Sequence, residues 1–105
     1  MAGYPQPANR TCSREMKEAL LIVTVRDARG PIPAAVVRAT PPGASGLSSA
    51  MVTDEAGEAR VRAIDSADLA IFVSADGFLP QATGLHLSTG CTATLRVVLR
   101  ANPRD

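Results

Sequence analysis

Leu21, Val23 and Val25 alternate with Ile22, Thr24 and Arg26, a period of two that predicts a first β-strand over about Ala19–Arg26. The pattern ends at Asp27-Ala28-Arg29-Gly30, where an Asp side chain caps a turn and a Gly is free to take positive φ. Pro31 and Pro33 remove ladder donors on either side of Ile32, so a second strand is expected only from about Ala34 to Thr40, with Ala35, Val37 and Ala39 on one face. Pro41-Pro42-Gly43-Ala44-Ser45-Gly46 reads as a surface connection.

Ser48–Thr53 and Glu58–Ala63 flank Asp54-Glu55-Ala56-Gly57 and are expected to form a hairpin, with Ala59 and Val61 inward and Arg60 and Arg62 outward. A fifth strand, Leu69–Ala75, offers Leu69, Ile71, Val73 and Ala75 to the core and Phe72 to the opposite face. It closes on Ala75-Asp76-Gly77-Phe78, where Phe78 is read as an apolar plug. Leu85 and Leu87 mark a short sixth strand after Pro80, and Ser88-Thr89-Gly90 a turn. Thr92–Arg100 is a seventh strand with Ala93, Leu95, Val97 and Leu99 inward. Seven strands at this spacing predict an all-β fold, a two-sheet sandwich.

The chain has 105 residues, the size of one domain. Residues 19–101 are assigned to the sandwich, 102–105 to a short tail, and 1–18 to a flexible or extended arm that carries Cys12 and begins with Gly3, Pro5 and Pro7. Aromatic residues make up 3% of the sequence, so the core is aliphatic and a sugar platform or base-stacking surface is disfavoured. Eleven basic and ten acidic residues give a formal charge of +1, which argues against a nucleic-acid ligand held by bulk charge. No apolar run approaches the roughly 20 residues that span a bilayer. The start of the chain lacks the charged and apolar regions of a secretory leader, so the protein is expected to be cytosolic or to have lost one.

In order along the chain stand LIVTVRDARGPIPAAVV, VTDEAGEARV, LAIFVSADGF and a terminal LRVVL. That order and spacing, from about Leu20 to Leu99, resemble the carboxypeptidase regulatory-like domains of the transthyretin-like, prealbumin-type group. The resemblance implies an immunoglobulin-like or transthyretin-like sandwich that works as a non-catalytic module for protein interaction or structural support, in exported bacterial proteins among others. No cofactor is expected.

Cys12 precedes the first strand and Cys91 opens the last, the placement of a terminal staple. A disulfide between them is expected and would put the protein in the periplasm or outside the cell; two free thiols would put it in the cytoplasm. Such a pair at matching places is also what the resemblance implies. The spacing is not that of a metal site, since there is no CxxC and only one His.

Two further readings remain at this level. Transthyretin-like hydroxyisourate hydrolases carry His and Arg residues and end in Tyr-Arg-Gly-Ser, whereas this chain ends RANPRD and offers only His86. His86 is expected to be an exposed strand residue. A structural subunit of a larger cytosolic assembly is the other reading, and oligomeric state is left open. Asp54, Glu55 and Glu58 supply oxygen ligands that would suit Ca²⁺, but their spacing falls short of an EF-hand loop and fits a turn with a solvated rim. Arg26, Arg38, Arg60, Arg62, Arg96 and Arg100 fall on outward strand positions, where they either solubilise the sheets and discourage edge-to-edge association or assemble a basic partner-binding stripe, joined by the outward apolar Ile22, Phe72 and Val98.

Overall fold

The structure is a computed structural model that describes residues 9–15, 17–40, 49–63 and 67–103. Among these residues it contains nine strands: β1 (Asn9–Cys12), β2 (Ala19–Asp27), β3 (Gly30–Pro31), β4 (Val36–Thr40), β5 (Ser49–Val52), β6 (Glu58–Ala63), β7 (Ala67–Ser74), β8 (Gln81–Leu87) and β9 (Cys91–Val98). They form two sheets. In the first, β9 lies between β1 and β2, and β2 pairs on its other side with β6 and, beyond it, with β3. The second has the order β5-β4-β7-β8. Every pairing is antiparallel except β2 with β9, which is parallel from Leu20↔Thr92 to Arg26↔Val98.

The fold is therefore the expected sandwich with two more strands than seven. β1 lies inside the segment expected to be an arm; its residues Asn-Arg-Thr-Cys carry no apolar alternation, and only its pairing with β9 makes it a strand. β3 is two residues long and includes Pro31, which tolerates the position because it sits at a sheet edge. β8 covers Gln81–Leu87, well beyond the short strand marked by Leu85 and Leu87, because its first residues are too exposed to show an apolar phase. The Pro41–Gly46 connection lies outside the described residues.

One local pairing is corrected. β5 and β6 do not form a hairpin: β5 pairs with β4 in one sheet and β6 with β2 in the other. Asp54–Gly57 is the corner where the chain changes sheets. The Gly57 carbonyl accepts the Val25 N–H at 2.7 Å, while the Thr53 N–H reaches back to the Ala35 carbonyl at 2.9 Å. The two ends of the turn are thus bonded to different sheets. Gly57 has φ 76°, and a Cβ there would stand 2.5 Å from the Val25 carbonyl oxygen, so the crossing depends on glycine.

The core lies between the sheets and is aliphatic, with Leu21, Val23 and Val25 of β2 packed against Val37, Ile71, Val73 and Leu87. Ala75, Leu95 and Phe78 are only partly buried at its margin. The chain end is tied to the β7–β8 connection: Leu79 N–H donates to the Arg100 carbonyl and Asn102 N–H to that of Gly77, both at 2.9 Å. No helix of the described residues is long and apolar enough to cross a membrane.

Candidate functional site

The expected turn chemistry positions the rims of both sheets. Asp27 Oδ1 accepts the N–H groups of Arg29 at 2.8 Å and Gly30 at 3.1 Å. Asp54 Oδ1 accepts those of Ala56 at 2.9 Å and Glu58 at 3.0 Å. These carboxylates shape Asx-type turns, which holds β6 in place beside β2.

Strand register then decides which outward residues share a surface. On the outer face of the five-stranded sheet, Arg62 lies opposite Leu20 and Arg60 opposite Ile22, and across β2 these rows continue to Thr92 and Thr94. The next row runs from Glu58 through Thr24 to Arg96, and the last joins Arg26 to Val98. Arg26, Arg60, Arg62 and Arg96 therefore belong to one face, with all four side chains exposed and half-buried Leu20, Ile22 and Thr24 at its centre. Arg60 stands 4.0 Å from Glu58, a solvent-exposed pair of little energetic weight.

The remaining members of the expected stripe lie elsewhere. Arg38 and Phe72 are opposite each other on the outer face of the four-stranded sheet, on the far side of the sandwich, in a row that continues from Ala50 to Ala82. Val52 and Phe72 are exposed on this second face, which is more apolar than the first. Arg100 follows β9 and borders an open depression of about 500 Å³ with Asp27, Phe78 and Val98. The six arginines thus form no continuous stripe; period-two phase says which residues point outward, not from which sheet.

Two side-chain relationships complete the picture. Cys12 and Cys91 are opposite each other in the β1–β9 register and are joined as a disulfide. His86, expected to be exposed, is instead half-buried, and its Nδ1 lies 2.8 Å from Asp68 Oδ1. The cause is the β7–β8 register, which sets Asp68 directly against His86. Sequence separation hid it, since only strand pairing unites residues that far apart.

Comparisons with known proteins agree with the geometry. The family model described as carboxypeptidase regulatory-like domain matches residues 21–100. No curated protein matches the chain significantly. Among solved structures, catechol 1,2-dioxygenase from Acinetobacter sp. is similar with a TM-score of 0.64 and 16% identity, over 95% of this chain and 59% of that one. The Bacillus anthracis TIE protein is similar with a TM-score of 0.67 and 13% identity, over 81% of this chain and 17% of that one. The 3-chlorocatechol 1,2-dioxygenase of Rhodococcus opacus gives 0.64 and 11%, over 97% and 68%. At these identities the likeness is one of fold. The chain spans 59% of the first of these structures and 17% of the second.

Proposed function

This chain belongs to the carboxypeptidase regulatory-like domain family, and from that premise we propose that it is a non-catalytic module that binds a protein partner through the outer face of its five-stranded sheet. The observation that carries the reading is the gathering of Arg26, Arg60, Arg62 and Arg96 on that one face by strand register. Guanidinium groups recognise carboxylates in a planar, two-pronged geometry, so the complementary surface is acidic. The half-buried Leu20 and Ile22 between them supply apolar contact that bulk charge does not. The Cys12–Cys91 disulfide suits an oxidising compartment and supports a place in the periplasm or outside the cell.

The test is affinity capture from the native exported fraction by wild-type protein, by the double variant Arg60→Glu/Arg62→Glu, and by Arg38→Glu on the opposite sheet. The expected result is a partner retained by wild type and Arg38→Glu and lost by the double variant, with all three melting alike. Equal capture by all three would overturn the assignment of the face.

A further inference from the structure

We propose that the uncovered part of β9, Leu95–Val98, is a strand-addition site that receives an extended segment of a partner protein in which acidic and β-branched apolar residues alternate. The proposal rests on the reading above only in taking the partner to be a protein; it concerns a sheet edge rather than a sheet face.

β2 accompanies β9 as far as Val98, but β1 accompanies it only over Cys91–Thr94. Among the described residues, the rest of β9 is therefore paired on one side alone. The direction of its backbone groups follows from two hydrogen bonds. Ser13 N–H donates to the Gly90 carbonyl at 2.7 Å, so the carbonyl that leads into β9 faces the β1 side, while the Gly90 N–H turns away to the Glu18 carbonyl at 3.0 Å. Leu99 N–H donates to the Arg26 carbonyl at 2.8 Å, so Leu99 faces β2. Alternation between these ends turns the N–H and C=O of both Arg96 and Val98 toward the uncovered side, at the roughly 7 Å repeat of a strand ladder.

The chain's own sequence is poorly suited to fill this edge. With Asn9 set against Thr94, a longer β1 would set Pro7 against Arg96 and Pro5 against Val98. Those are the positions whose N–H would have to donate, and proline has none. An incoming strand with ordinary amides can make all the bonds that the prolines cannot.

Side chains define what the strand carries. A groove of about 160 Å³ lies against this edge, lined by Ile71 and Val73, with Gln81 and Thr83 of β8 as its far wall and Leu95 and Val97 on the near side. Leu95 points inward with Ala93 and Val97 yet is only partly buried, because nothing described stands beside it. Side chains opposite Leu95 and Val97 would enter this groove and are therefore apolar and compact. Those opposite Arg96 and Val98 would lie on the outer face beside an exposed guanidinium, where a carboxylate is the favourable cross-strand neighbour. Antiparallel addition continues the line of β1.

The probe is a blocked hexapeptide of alternating Asp and Val, followed by NMR with amide hydrogen exchange. Saturable binding is expected to slow exchange at Arg96 and Val98, while Leu95 and Val97, already turned to β2, change little. Val98→Pro removes an open donor without touching the β2–β9 ladder, and a peptide N-methylated at its Asp residues removes the matching donors. Each is expected to weaken binding by about tenfold or more, and the N-methylated peptide keeps the test valid if Val98→Pro unfolds. Arg96 and Val98 amides already protected in the free protein would overturn the proposal in favour of the chain's own N-terminal residues. Protection that grows with protein concentration would overturn it in favour of a second copy. Binding insensitive to both changes, or no binding, would overturn it while leaving the arginine face untouched.

Discussion

Thr53 and Ala35 hold each other in both directions: the Thr53 N–H donates to the Ala35 carbonyl at 2.9 Å, and the Ala35 N–H donates to the Thr53 hydroxyl at 2.9 Å. The same hydroxyl donates to the Ile32 carbonyl at 2.7 Å, and Ala34 N–H donates to the Thr53 carbonyl at 3.0 Å. Thr53 is the buried polar residue of the described core, at 5% exposure. It latches the corner before β4, where Ala34 takes φ 60°, to the corner after β5.

Replacing Thr53 by Val keeps the shape and strands one buried donor and one buried acceptor. Thr53→Val is therefore expected to cost about 2–3 kcal/mol, and Thr53→Ser, which keeps the hydroxyl, distinctly less. Urea denaturation of the two variants checks the difference; equal losses would assign the effect to packing instead.

Gly57 and Gly77 share a positive φ, 76° and 83°, but differ in surroundings. Ala at Gly77 meets nothing within 4 Å and bears only the backbone penalty of about 1 kcal/mol. Ala at Gly57 must in addition displace the Val25 carbonyl, with Pro31 and Ile32 also close by. Gly57→Ala is expected to destabilise by at least about 1 kcal/mol more than Gly77→Ala, read from paired thermal melts.

The Cys12–Cys91 bond closes a separation of 79 residues, for which chain entropy gives roughly 4–5 kcal/mol. Reduction, or a Cys12→Ser/Cys91→Ser variant, is expected to lower stability by an amount of that order. It should also free β1 first, since among the described residues this four-residue strand pairs with β9 alone. Hydrogen exchange at Asn9–Cys12 faster than in β2 would show this order of loss.

Ile71 and Phe72 test the strand alternation directly. Ile71 is 1% exposed between the sheets and Phe72 is 43% exposed on the outer face. Ile71→Ala is expected to cost about 2–5 kcal/mol. Phe72→Ala should cost under about 1 kcal/mol. Comparable losses in chemical denaturation would mean that the outer face is covered in solution.

Legibility in the sequence followed range of interaction. Side-chain alternation at Leu21–Val25, Leu69–Val73 and Ala93–Leu99 is local, and most of the core it marks is the core observed, with Leu95 and Ala75 only partly buried at its margin. The Asp and Gly positions of the turns were equally readable, since an Asx turn bonds residues two to four apart. A hairpin of β5 with β6 is what the sequence suggests because Asp54–Gly57 looks the same whether its flanking strands pair or part; the bonds Val25 N–H to the Gly57 carbonyl and Thr53 N–H to the Ala35 carbonyl separate the two cases.

What the chain determined by itself was its class, its aliphatic interior and its turns, because burial with period two and turn propensity are written into neighbouring residues. Only the tertiary structure decided that β2 and β9 run parallel, that Arg38 parts from Arg26, Arg60, Arg62 and Arg96, that Asp68 meets His86 and that, among the described residues, β1 accompanies only half of β9. Pairing is made by backbone N–H and C=O groups that nearly every residue carries alike, so a strand's partner has little signature in its own sequence. It is settled when the two apolar faces close on each other, and the exposed surfaces follow from that choice.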